Sequence, residues 1–180
     1  MREDLLTRAL GLQGLSVASM DMDTESITLT LERDDGGEYI CGHCGQSHWV
    51  YHDRYPIAPR DLPICGKRVT LVVHRYRVFC GCCSKVVNEH LPFIRPNAQM
   101  TMRFEQALHA ECAETAVEAV AQRHELSWAT VRDVDLRILR DKIARHRLEG
   151  LRWLAIDEIA HEKGHKYLTV ITDLERRKVV

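Results

Sequence analysis

Two Cys-x-x-Cys knuckles, Cys41–Cys44 and Cys80–Cys83, lie with 35 residues between them. Two residues between thiolates form a tight turn that points both sulfurs at one ion, and two such turns close a tetrahedral four-sulfur shell. The first knuckle reads Cys41-Gly42-His43-Cys44-Gly45, where glycine permits the sharp backbone. The second reads Cys80-Gly81-Cys82-Cys83. The spacing is that of a zinc ribbon with Cys41, Cys44, Cys80 and Cys83 as ligands. Four protein ligands leave no position for water, so the zinc is expected to be structural. Scattered buried thiols are the plainer explanation. Cys65, Cys82, His43, His48, His52 and His90 are also ligands by type. Cys65 lacks a paired partner, and Cys82 would form only a Cys-x-Cys with Cys80. Cys112 falls on a helical pattern and reads as a small core residue. A segment this short buries little core, so the metal must supply much of its folding energy.

Charge is segregated along the chain. Residues 1–40 hold three basic and nine acidic side chains, a net of −6, whereas residues 41–98 hold eight and three, a net of +5. The whole chain is nearly neutral at −1. Positive charge therefore concentrates on the cysteine segment, where it would help meet phosphate. The acidic amino-terminal stretch argues against a uniform coating of DNA. No run approaches the ~20 apolar residues a membrane span requires. The opening Met1-Arg2-Glu3-Asp4 carries acids where a signal peptide wants a basic flank. With no such signal, seven cysteines suggest metal ligands rather than disulfides, and the cytoplasm is the expected compartment.

Periodicity gives an α+β, multidomain chain. Leu5, Leu6, Ala9 and Leu10 share a helical face within Glu3 to Leu12, closed by Gly11 or Gly14. Ile27, Leu29 and Leu31 alternate with polar residues as a half-buried strand. Asp34-Asp35-Gly36-Gly37 reads as a turn. Pro56, Pro59 and Pro63 exclude a long helix between the knuckles. Lys67 to Phe79 reads as a strand delivering Cys80 to the metal. Pro92 and Pro96 mark an expected boundary. The spacing thus divides the chain into an amino-terminal helix and strands (1–40), a zinc ribbon (41–98), a helical module (99–150) and a final segment (151–180).

The helical module begins with Met102 to Ala113, continues with Thr115 to His124, and breaks at Glu125-Leu126. Ser127 is a good N-cap for a third helix from Trp128, with Val131, Val134 and Ile138 on one stripe. Three helices with a short turn before a capped third resemble a helix-turn-helix, with Ala119, Leu126 and Val131 where the inner face packs. Glu125 stands where a glycine is often found. A generic three-helix bundle is the plainer reading. In a helix-turn-helix the first turns of the third helix enter the major groove, which makes Trp128, Thr130 and Arg132 candidates for DNA contact. Phosphate contacts are expected from Lys67, Arg68, Arg75 and Arg77. Arg140, Lys142, Arg145 and Arg147 form either a solvated face or a track along the backbone.

Residues 152–158, Arg-Trp-Leu-Ala-Ile-Asp-Glu, form an apolar strand carrying an acid. The loop His161 to His165 and a second strand, Lys166 to Asp173, follow. On these marks, with Cys41 to Gly45, Phe79 to Cys83 and the capped third helix, the chain resembles the amino-terminal part of a zinc-ribbon insertion-sequence transposase of the ISL-three family. The resemblance covers essentially all 180 residues. It implies that the last segment opens an RNase H-like domain. It also implies an Asp-Asp-Glu triad holding two magnesium ions for strand transfer, with Asp157 matching the first carboxylate. The other two carboxylates have no counterpart here, since Asp173 follows Asp157 too soon. This length of chain is therefore expected to bind double-stranded DNA at transposon ends without cutting it. Assembly as a homo-oligomer around paired ends is a further implication, as is a place at the nucleoid. The alternative is a free-standing zinc and helix-turn-helix regulator, or a domesticated fragment, without catalysis.

Overall fold

A computed structural model describes residues 5–34, 37–145, 149–162 and 165–180. Of the features read from the sequence, Met1 to Asp4, Asp35, Gly36, Arg147, Lys163 and Gly164 lie outside the described residues, as do the side chains of Arg145, His161 and Glu162. The chain divides into two units, 1–138 and 139–180.

The first unit starts with α1 (Leu5–Leu10), which ends at Gly11 in a left-handed conformation. Strands β1 (Leu15–Met22) and β2 (Ser26–Arg33) form an antiparallel pair, joined by a turn that Asp23 closes by accepting hydrogen bonds from the Glu25 and Ser26 N–H groups. The bond from the Ser26 hydroxyl, together with those two N–H bonds, holds the Asp23 carboxyl down at about 2. Short strands β3 (Tyr39–Ile40) and β4 (Ser47–His48) flank the first knuckle. Then come β5 (Asp53–Ile57), β6 (Arg60–Ile64), β7 (Lys67–Cys80) and β8 (Lys85–Asn88).

The 14-residue β7 organises the unit. It pairs in parallel with β2 and antiparallel with β5, β6 and β8 in a six-stranded sheet. Successive strand residues face opposite sides. In its first half the odd positions Val69, Leu71 and Val73 are buried, packing with Leu10, Leu15, Ile27, Leu29 and Leu31. In its second half the even positions Tyr76, Val78 and Cys80 are buried instead. One strand therefore walls an apolar core on one face and the cysteine cluster on the other. The amino-terminal strands and the cysteine segment, expected as separate regions about residue 40, share this sheet through the β2–β7 pairing.

Three helices follow: α2 (Met102–Cys112), α3 (Val117–Arg123) and α4 (Trp128–Arg145). Thr101 caps α2, its hydroxyl accepting from Phe104 N. Phe104, Leu108, Val120, Ala121, Val131, Val134 and Ile138 form the buried interior with Met100. The expected stripe Val131, Val134, Ile138 is thus inside. On α3 the fully buried positions are Val120 and Ala121, and the expected Ala119 is only half-buried, one residue off the core-facing row. Leu62 of β6 packs against this interior, joining the helices to the sheet.

The second unit holds β9 (Leu154–Glu162), β10 (Lys166–Asp173) and β11 (Lys178–Val179) as an antiparallel sheet. Leu154, Ile156, Ile159, Tyr167, Leu168 and Ile171 all stand exposed on it. No described helix is long and apolar enough to cross a membrane.

Candidate metal centre and nucleic-acid interface

The metal candidate forms where two hairpin-like turns meet. The first knuckle closes through Cys41 N to Gln46 O and Gly45 N to Cys41 O, with Gly45 at φ +78°, a left-handed value that favours glycine. Gly42 lies against β8: its N–H donates to Asn88 O at 3.0 Å, and a Cβ there would come within 2.7 Å of that same oxygen. Only glycine fits. Cys80 ends β7, and Cys83 sits in the turn to β8. The four sulfurs lie within 4.8 Å of one another, Cys44 to Cys80 at 3.5 Å and Cys41 to Cys83 at 3.9 Å. Sulfurs tetrahedrally bound at ~2.3 Å stand about 3.8 Å apart, so the cluster already has the size of a zinc shell.

The thiols' electrostatics also call for a cation. Burial pushes the Cys83 thiol up to about 12, with its three neighbouring thiols adding to the rise. At Cys41 burial acts the same way, but the N–H groups of Cys44 and His43 outweigh it and bring the thiol down to about 7. Four thiolates this close repel, and a divalent ion among them removes the conflict. Among the described residues no other group of three or more His, Cys, Asp or Glu side chains could hold a metal. The other ligand types fall elsewhere. Cys82 donates to Gln46 Oε1 at 3.1 Å, Cys65 is exposed in the β6–β7 turn, and Cys112 packs against the helical core. His43 Nδ1 lies 3.4 Å from Cys83 Sγ, beside the cluster.

The turn between α3 and α4 is tight. Leu126 N donates to Ala121 O, and Glu125 takes φ +51°, so a glutamate holds the left-handed conformation at the position often given to glycine. Ser127 Oγ accepts from Thr130 N at 3.1 Å and lies 2.7 Å from Thr130 Oγ1. This is the expected cap, with Thr130 drawn into it. Trp128 stands 46% exposed rather than in the core. The Arg132 guanidinium lies 4.9 Å from its ring centroid and pairs with Asp133 at 2.6 Å. Exposed aromatic and cationic groups thus sit together on the first turns of α4.

Two arginines of the sheet hold that turn. Arg60 donates to the carbonyls of His124 and Glu125, and Arg68 Nη1 meets Glu125 Oε2 at 2.9 Å. Beneath them Asp61, only 1% exposed, accepts from the Thr101 hydroxyl and from Arg103, whose Nη1 also donates to Leu10 O. Burial alone would raise the Asp61 carboxyl, but Arg103, Thr101 and the Leu62 N–H hold it below its ordinary value. Buried Glu105 joins Arg95 at 2.9 Å and Arg137 of α4 at 2.6 Å. Sequence reasoning missed Arg60, Asp61, Arg103 and Glu105, because their partners lie 10 to 93 residues away and form no local pattern.

The expected phosphate contacts sort by their surroundings. Lys67 Nζ donates to the Asp23 and Thr24 carbonyls, and Arg77 forms a two-pronged pair with Asp53. Both stay near solvent, as does Arg68. Arg75 does not: it is 5% exposed, continuing the inward-facing odd row of Val69, Leu71 and Val73.

Asp157 lies in β9, opposite Val170 of β10, and is exposed. Its Oδ1 accepts from Glu158 N at 2.8 Å. Glu158, opposite Thr169, faces the other side of the sheet. Asp173 is buried and accepts from the Glu175 and Arg176 N–H groups, so it builds the turn into β11.

Residues 38–83 match a family model described as the zinc-finger of transposase IS204/IS1001/IS1096/IS1165, and residues 89–139 match the helix-turn-helix domain of transposase family ISL3. The first match contains the four clustered cysteines, and the second contains α2, α3 and the start of α4. The chain is 35% identical over 141 residues to the transposase for insertion sequence element IS1001 of Bordetella parapertussis, covering 78% of this chain and 35% of that protein. It is 30% identical over 145 residues to the transposase for insertion sequence element IS1557 of Mycobacterium tuberculosis, covering 78% of this chain and 32% of that protein. The chain thus spans about a third of the length of the curated relatives it matches. No solved structure matches it.

Proposed function

Because the chain belongs to the ISL3 family of transposases, with that family's zinc finger and helix-turn-helix in order, we propose that it is the DNA-binding amino-terminal part of an insertion-sequence transposase. Its target in this reading is the terminal inverted repeats of its own element. The observation that carries it is the Ser127-capped α4, whose exposed Trp128 and Arg132 stand over a turn clamped by Arg60 and Arg68.

Zinc is bound by Cys41, Cys44, Cys80 and Cys83 and is structural, since the shell closes without water. Arg132 reads a base edge from the first turns of α4, Trp128 supports its guanidinium, and Thr130 fixes the helix start. Lys67, Arg68 and Arg77 meet the phosphate backbone. Asp157 supplies the first carboxylate of an RNase H-like active site completed by residues outside this chain. Bound magnesium would polarise the scissile phosphate and activate the attacking oxygen there. The exposed apolar residues on both faces of the β9–β10 pair suit a sheet that later elements cover. A cytoplasmic, nucleoid-associated protein assembling as a homo-oligomer around two ends completes the proposal.

The test is binding to duplexes carrying the element's ends against random duplexes, at stated salt. Arg132→Ala is expected to cost roughly 1–3 kcal/mol on the end sequence, while Lys67→Ala weakens both duplexes alike and flattens the salt dependence. Equal binding by wild type and an Arg132→Ala, Thr130→Ala double variant would refute the recognition helix. In a protein extended beyond Val180, Asp157→Asn is expected to abolish cleavage while end binding persists, and Glu158→Gln to do much less. The 180-residue chain itself should not nick DNA.

A further inference from the structure

Arg75 is a buried cation that neither the metal cluster nor the clamp on the helix turn uses. A guanidinium cannot shed its charge in a protein, and buried charges are ordinarily paired. Arg75 is 5% exposed, yet its Nε has no hydrogen-bond partner, and among the described residues no carboxylate forms an ion pair with it. Glu89 feels its charge but is already engaged, by Arg33 and by the Tyr76 N–H at 2.9 Å. A buried charge left without a partner is costly, so a ligand that supplies the missing negative charge gains more here than at the surface.

Arg75 lines a cleft of about 380 Å³ with Tyr55, Pro56 and Pro59 from the β5–β6 stretch and Asn97 and Gln99 from the segment before α2. Strand pairing puts it there, since Arg75 stands opposite Tyr55 in the β5–β7 ladder. The walls are fixed by backbone bonds: Arg60 N donates to Gln99 O at 2.9 Å, Leu71 N to Pro59 O at 2.9 Å, and Ala98 N to Arg95 O at 3.2 Å. The Tyr55 hydroxyl is spent on Asn88 Oδ1 at 3.1 Å. Asn97 and Gln99 are exposed and bring amide donors to the lining. Among the described residues no acidic side chain lines the cleft. The lining therefore offers one full positive charge, amide donors and no carboxylate, which selects an anion. A guanidinium fork matches carboxylate and phosphate oxygens alike. A planar carboxylate is used up by the fork, whereas a tetrahedral phosphate keeps further oxygens for the amides.

We propose that this cleft binds a phosphate group, with two oxygens on the Arg75 guanidinium and a third on the Asn97 or Gln99 amide. Free phosphate and a phosphodiester of a DNA strand share this chemistry, and the test separates them. The site itself stands on its own lining and does not depend on the recognition helix.

The test uses the zinc-loaded 180-residue chain, freed of excess metal. Its melting temperature is followed in inorganic phosphate, acetate and chloride at equal ionic strength. Phosphate is expected to raise it progressively over chloride, as a ligand that binds only the folded state does. Arg75→Met should keep the fold and the zinc, because an apolar side chain of similar length replaces an unpaired buried charge, and should lose the phosphate gain. An equal gain in acetate would make the cleft a carboxylate site and overturn the phosphate assignment. Duplex binding then separates the sources. A loss of about tenfold in Arg75→Met, the size of one charge-assisted hydrogen bond, assigns the phosphate to DNA, and unchanged binding assigns it to the free ion. Wild type and Arg75→Met behaving alike in both phosphate melting and duplex binding would overturn the proposal. A chain that gains stability from phosphate but binds no duplex would overturn the DNA reading and leave this site standing.

Discussion

The two halves of β7 stabilise the same sheet by different means. Around Val69, Leu71 and Val73 the chain gathers eight buried apolar residues from α1, β1, β2 and β7. Around Val78 and Cys80 the buried apolar cluster among the described residues is Val78, Cys41 and Cys80. Burial at ~25 cal/mol per Å² makes the first end self-sufficient and leaves the second short of driving force. Structural zinc can supply apparent binding energies of ~10–16 kcal/mol, more than any set of three side chains would. The difference teaches that one strand can span two folding regimes: one end is held by water's exclusion, the other by coordination.

The largest way to break this comparison is to remove the metal. Chelation, or Cys80→Ser, is expected to unfold the two knuckles and expose the amides of β8 to exchange, while those of β2 and the first half of β7 stay protected. Cys65→Ser and Cys112→Ser should keep about one equivalent of zinc by elemental analysis. Full zinc retention by Cys80→Ser would sink the ligand assignment, and equal loss of protection at both ends would show one cooperative unit.

Asp61 tests the junction of sheet and helices. Asp61→Ala leaves Arg103 without its buried partner and should cost ~3–5 kcal/mol in denaturant unfolding. The folded pKa of Asp61 lies below its unfolded value. Its contribution is therefore full above about pH 4 and is lost as pH falls through the folded value. Wild type should lose stability over that acid range more steeply than Asp61→Asn. Parallel pH profiles would remove Asp61 from the account.

A purely apolar deletion sharpens the contrast. Leu71→Ala, fully buried, should cost ~2–5 kcal/mol by thermal or chemical melting while zinc content is unchanged. Loss of metal in that variant would mean the two ends are coupled. The smallest effect is at the helix turn. Glu125→Gly relieves a left-handed glutamate but removes its pairing with Arg68, so a net gain of about 1 kcal/mol or less is expected in melting. A loss of more than that would make the Arg68 contact the stronger of the two.

Much of this architecture is local and was legible. The knuckle glycines, the Ser127 cap and the Val131, Val134, Ile138 stripe depend on neighbours a few residues away, and each stands where spacing puts it. Asp173 closes its own turn, accepting from the Glu175 and Arg176 N–H groups. The burial of Arg75 continues the odd row of Val69, Leu71 and Val73; its charge, not the alternation, pointed to the surface. The left-handed Glu125 was visible only as a missing glycine.

The sequence by itself determined the four-sulfur spacing, the three helices and the strand that carries Cys80, because each is written in contacts within a turn or a period. Only the tertiary structure decided that β2 lies parallel to β7, that Arg60 and Arg68 grip the helix turn, and that Trp49 meets Phe79. Those pairings join residues 30 to 65 positions apart, and their free energy comes from burying surfaces against each other, which no local pattern encodes.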